Sequence, residues 1–220
     1  AFNPAQLAAM ETVEDGHKAH DLTVYPFAVF ISIFIMVFLV AAGVEETMKH
    51  FAVRCCRFPD RLSDPNAIMV LLVAAALGFS TSENISYVFR AGAGEDSSDY
   101  YTAEILTLLM RIVLPVHIIC AVLQSAQLSQ VISGAKNSSL FQVLLPAMLL
   151  HGSFDFTLFA GGAIEMFFWD DAGIGFELSF VAISVGIAIV GARIAYTSFR
   201  AAVEGHVHRG EWRGLPSDVL

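Results

Sequence analysis

Five predominantly apolar segments, at 22–44, 67–89, 103–126, 140–164 and 175–196, leave this chain few ways to fold. Each approaches or exceeds the roughly 20 residues that a helix needs to cross a hydrocarbon layer. Within lipid, a backbone must satisfy its own hydrogen bonds, which the helix does within a single segment. The composition agrees: 56% of the residues are hydrophobic and 15% charged, far more apolar than the core of a soluble domain requires. The stretches between segments are short and rich in Gly, Ser, Asp and Pro, with no linker long enough to divide the chain and no internal repeat. The expected fold is therefore all-α, a polytopic membrane bundle of about five transmembrane helices around a polar cavity, in a single domain over 1–220.

Lysine and arginine favour the cytoplasmic ends of membrane helices. Lys49, Arg54, Arg57 and Arg61 follow the first segment, Lys136 the third, and Arg193, Arg200, Arg209 and Arg213 lie at or beyond the end of the fifth. Those ends share one face of an alternating bundle, which predicts an amino terminus outside or in a lumen and a cytoplasmic carboxyl terminus. Acidic clusters around Glu11–Asp21, Glu95–Glu104 and Glu165–Glu177 collect on the opposite face, and the net charge of −9 argues against a nucleic-acid partner. The chain starts at Ala1, so preceding sequence is an open matter. Cys55 and Cys56 stand beside the membrane, which suits either reversible palmitoylation or free thiols, and Cys120 has no metal-ligand spacing to another cysteine. Of two glycosylation sequons, Asn84-Ile-Ser86 falls within the second segment and Asn137-Ser-Ser139 in a loop placed on the cytoplasmic side.

The informative residues are the ionisable ones that these segments retain: Glu45, Glu46, Glu83, Arg111, His117, His151 and Asp155. A charge at mid-membrane costs from about 2.5 kcal/mol to 10 or more, so such residues mark a functional site by default. Glu45 and Lys49, Phe79 and Glu83, and His151 and Asp155 are each four residues apart, which places each pair on one helix face. A carboxylate one turn from an imidazole can orient it. Asn84 adds an amide beside Glu83, and Pro115 removes a helical hydrogen bond two residues before His117. Four helices can thus line one wet pocket. The plainer readings are helix-packing roles for single histidines, a structural ion pair of Arg111 with Glu83 (the favoured role for Arg111), and an interfacial helix end at Glu45, Glu46 and Lys49.

The segments "EETMK", "FSTSEN", "RIVLPVH" and "HGSFD" fit EExxK, FxxxEN, an arginine–histidine helix and HxxxD. In this order on successive helices they resemble the PrsW-type intramembrane proteases, which are related to type II CAAX prenyl endopeptidases and bacteriocin-processing-type membrane proteins. The resemblance covers about 40–156. It implies an intramembrane peptidase whose substrates are transmembrane or lipid-anchored proteins.

Peptide hydrolysis needs a base for water, donors for the developing oxyanion and an acid for the leaving amine. Adjacent glutamates point about 100° apart on a helix, so one of Glu45 and Glu46 faces the pocket as base while the other braces a neighbour. The spacing does not separate them. His117 and His151 would stabilise the oxyanion, Asp155 orient His151, and Glu83 and Asn84 hold substrate or water, with Lys49 and Arg111 in support. The alternative is a zinc site built from Glu45, Glu46, His117 and His151. No HExxH signature is present. The residues alone leave the two mechanisms level, and the resemblance places the cofactor-free one first. A proton-coupled transporter would use similar intramembrane groups, but the repeats or broken helices common in that class are not found. A catalytically inert membrane scaffold is the remaining class.

One geometric difficulty stands. In straight helices, Glu45 lies near one end of its segment and Glu83 beyond the middle of a helix running the other way. Tilt, a first helix that continues past Lys49, or a funnel-shaped cavity would let them meet.

Overall fold

The computed structural model describes residues 25–55, 64–93, 109, 112–168 and 174–208. All its regular elements are helical. The first is one continuous rod of α1 (Tyr25–Ile35), a π-helical segment (Met36–Ala42) and α2 (Gly43–Cys55). Then follow α3 (Pro65–Ala93), α4 (Val116–Ile132), α5 (Leu140–Phe168) and α6 (Ile174–His208).

Four helices are long and apolar enough to cross a membrane: Pro26–Cys55, Pro65–Ser86, Leu140–Gly161 and Leu178–His208. The third expected span, 103–126, falls in part outside the described residues. Within it Leu109, Ile112 and Val113 are helical, and α4 covers Val116–Ile132, 17 residues, past 126. Pro115 marks the break before α4. It sits at the N-cap, and the residue before a proline is driven out of helical geometry, so Leu114 forms a bend. Pro115 therefore stands where the helical run of Ile112 and Val113 gives way to α4. Much of 103–115, Arg111 included, lies outside the described residues, as does Cys56.

The short α4 is the hub. It packs against α2, α3, α5 and α6. Ten of its 17 residues are buried, so its environment is protein more than lipid, and it has no need of a full span's length. Two apolar clusters hold it. Ala121 and Leu128 meet Val53, Ile68, Leu72, Ala76 and Val143; Val116 and Cys120 meet Ala147, Phe154 and Ala188. The outer faces carry large apolar side chains such as Phe27, Phe34, Met36, Leu39 and Phe89, as lipid contact requires.

The π segment adjoins the site. At its end the Gly43 N–H reaches both the Phe38 and Val40 carbonyls, the irregular bonding that accompanies π turns at functional positions. Gly152 of α5 lets the rod come close, since a Cβ there would overlap the Phe38 ring. Phe38 also meets Phe34 and Phe156 with ring centroids 4.6 and 6.2 Å away. Glycine at 152 thus seats the rod directly beside His151.

Candidate active site

The rod does continue past Lys49, to Cys55, which carries Glu45, Glu46 and Lys49 into the bundle. They do not form an interfacial helix end: Glu46 and Lys49 are fully buried, and only Glu45 keeps some exposure, at 15% of its side chain. Burying such groups is tolerable only with close partners, and Lys49 Nζ donates to Glu46 Oε1 at 2.7 Å.

α4 adds His117 in its first turn, and α5 adds His151 near its middle. The rings lie 4.7 Å apart, nearly perpendicular at 79°. Lys49 Nζ is 3.0 Å from His117 Nδ1. An ammonium can only donate, which assigns Nδ1 as acceptor and places the ring proton on Nε2. That Nε2 lies 2.8 Å from Glu83 Oε2 of α3. His151 is held likewise, with Nδ1 2.9 Å from Glu46 Oε1. Its Nε2 is 3.2 Å from Asp155 Oδ2 and 3.8 Å from Glu45 Oε2, and forms no hydrogen bond. Glu83 and Glu45, doubtful neighbours in sequence, are thus joined through His117.

The two glutamates part company here. Glu46 directs Oε1 to both Lys49 and His151, at 2.7 and 2.9 Å, while its Oε2 has no hydrogen bond. Glu45 turns Oε2, which has no hydrogen bond, toward both imidazoles, 3.7 Å from His117 Nδ1 and 3.8 Å from His151 Nε2. A cavity of about 10 Å³ adjoins these groups, bounded by Leu114, Val116, His117, His151, Phe154 and Asp155. That is about enough for one water with polar partners on several sides. A larger apolar groove of about 590 Å³ beside α5 and α6, lined by residues such as Leu150, Ile187 and Ile194, holds no titratable side chain.

Glu45 Oε2, His117 Nδ1 and His151 Nε2 are close enough to share an ion, since one donor atom from each of the three residues lies within 4.8 Å of the others. One glutamate and two histidines form a known catalytic zinc set. Two of the three atoms have no hydrogen bond of their own. Each imidazole also turns its other nitrogen to a carboxylate, Glu83 for His117 and Glu46 for His151, as metal-binding histidines do. The residues therefore fit a divalent ion.

Asn84 is half-buried beside Glu83, its Oδ1 without a partner. Two contributors went unassigned in the sequence. Gln124, fully buried, donates Nε2 to the Glu46 carbonyl at 3.2 Å and ties α4 to α2. Its signal was there: a polar residue seven positions after His117, on the same helix face. Phe79, noted only for its spacing, places its ring centroid 5.8 Å from Lys49 Nζ.

A family model described as "PrsW family intramembrane metalloprotease" matches residues 13–192. No curated protein and no solved structure matches the chain.

Proposed function

The chain belongs to the PrsW family of intramembrane metalloproteases, and on that premise we propose that it cuts membrane-delivered polypeptides with Glu45, His117 and His151 as the residues that hold its metal. The observation that carries this reading is the convergence of Glu45 Oε2 on His117 Nδ1 and His151 Nε2, two imidazole nitrogens whose opposite ring nitrogens are both braced by carboxylates. The zinc reading, second in the sequence, thereby moves to first. When bound, such an ion acidifies a water and polarises the scissile carbonyl. The chain's own residues do the rest. Glu46 and Glu83 fix the histidine tautomers and ring planes. Lys49 sets a positive charge beside the triad, where negative charge develops on the substrate oxygen. Asn84, with its unpartnered Oδ1, can accept a substrate main-chain N–H.

A second reading has its own support. The Lys49 ammonium, 3.0 Å from His117 Nδ1, already supplies positive charge to the site without a metal. Glu45 would then be the general base, with His117 and His151 stabilising the oxyanion. In both readings Glu45 faces the reaction and Glu46 braces it.

The substrate class follows from the setting. A site enclosed by α2, α3, α4 and α5 within apolar spans receives a chain from the bilayer or its edge, hence a transmembrane or lipid-anchored protein. The amino terminus is proposed to lie outside or in a lumen and the carboxyl terminus in the cytoplasm, from the distribution of lysine and arginine.

The test is cleavage of a membrane-anchored substrate by the purified protein, with elemental analysis and chelation alongside. Stoichiometric zinc and loss of activity to a chelator are expected. Full activity in metal-free protein would overturn the metal reading, and full activity of Glu45→Gln would overturn both. Digestion of soluble casein at a matching rate would refute the substrate class.

A further inference from the structure

Lys49 is among the largest fully buried side chains of the described residues, and its ammonium lies within the triad's immediate surroundings. Nζ is 2.7 Å from Glu46 Oε1, 3.0 Å from His117 Nδ1 and 3.9 Å from Glu45 Oε2, with the Phe79 ring centroid at 5.8 Å. We infer that Lys49 is the resident cation of this site, holding the same His117 Nδ1 lone pair that a metal takes, so that ammonium and metal exclude one another there. The inference rests on the metal reading and adds a competitor to it.

An imidazole nitrogen has one in-plane lone pair, which accepts a proton donor or ligates a metal but not both. Lys49 occupies the only nitrogen of His117 left after Glu83 has taken Nε2. Charge acts in the same direction, since an ammonium close to a divalent ion repels it across a medium that screens poorly. The displaced ammonium has somewhere to stay: Glu46 Oε1 and the face of Phe79 remain on its other sides. This gives the phenylalanine and the glutamate of "FSTSEN" separate tasks on one helix face. Glu83 holds His117, and Phe79 attends the lysine.

Two consequences follow. Without metal, the ammonium offsets part of the buried charge of Glu45 and Glu46, which lets the bundle fold before it is loaded. With metal, affinity is lower than one glutamate and two histidines would give unaided, so occupancy responds to the free ion.

Zinc affinity of the full chain in detergent, measured by competition with a chromophoric chelator, tests this. Lys49→Met should tighten zinc binding on the order of a hundredfold, the scale of removing a like charge a few ångströms away in protein. Lys49→Gln should tighten it similarly while keeping a donor for Glu46, which covers the case in which the methionine variant fails to fold. Lys49→Arg keeps the charge and should stay near the wild-type value. Equal or weaker zinc binding by the neutral variants overturns the role of Lys49 and leaves the metal reading standing. No zinc binding by wild type or any variant overturns both.

Discussion

The two histidines at the centre of this bundle are held in opposite ways. His151 sits in mid-helix with a carboxylate of its own helix, Asp155, 3.2 Å from Nε2, and Glu46 of another helix on Nδ1. His117 opens a helix and has no acidic residue near it in sequence. Its partners, Glu83 and Lys49, both come from elsewhere, 34 and 68 positions away along the chain. One imidazole is placed partly by local spacing and the other wholly by tertiary packing. Two routes converge on equivalent chemistry, a ring with one nitrogen braced by a carboxylate and the other turned to Glu45.

If both rings serve one reacting centre, His117→Ala and His151→Ala should cost peptidase activity alike, each about a thousandfold or more, because members of a unit fail together. A rate assay on a membrane-anchored substrate decides, and a tenfold gap between the two would break the equivalence. The bracing carboxylates should then separate them. Glu83→Gln removes the anionic brace on His117 and should lower activity or zinc affinity about 10- to 100-fold. Asp155→Asn should cost less, since Glu46 still holds His151. The reverse order would show that the local contact governs after all.

Stability gives a further separation. Glu46→Gln removes the closest counter-charge of buried Lys49 and should destabilise the bundle by about 3 kcal/mol or more, whereas Glu45→Gln, whose carboxylate stands 3.9 Å from that lysine, should leave thermal unfolding in detergent nearly unchanged. Gly152→Ala, beside His151, should cost about 1–3 kcal/mol by forcing the Phe38 ring aside. The smallest effect is expected at Arg200, whose exposed bond to Glu204 on the rim of α6 should be removable without a detectable shift in the unfolding temperature. A clear loss there would mean that exposed pairs, and not only buried ones, fix the helices around the site.

The same contrast explains what the sequence made legible. His151 and Asp155, Phe79 and Glu83, and Glu45 and Lys49 were visible because one helical turn is a sequence rule. The helical class was visible because hydrophobic runs of membrane length admit little else. What stayed hidden were distances across helices: Glu46 to His151, Glu83 to His117, Gln124 to the Glu46 carbonyl. Which glutamate faces inward was hidden for a subtler reason. Local spacing places Glu45 one turn from Lys49, yet the shorter contact runs to Glu46, three residues away. The break before α4 was readable in Pro115, but the surrounding apolar run hid it.

The scattering of the site over α2, α3, α4 and α5 also bears on how such a protein is made. Of the described elements synthesis delivers the rod first, so Glu45, Glu46 and Lys49 precede both site histidines. Each would cost about 2.5–3.5 kcal/mol at mid-membrane if it travelled alone. They travel instead with a lysine one turn from both acids, a partly self-neutralised cargo. His117 arrives with the hub helix, and His151 only when α5 has been threaded. On the proposed reading, a nascent chain lacks a complete site until α5 is in place. Until then, copies carry two acids and a lysine through the membrane without the second imidazole of the proposed site.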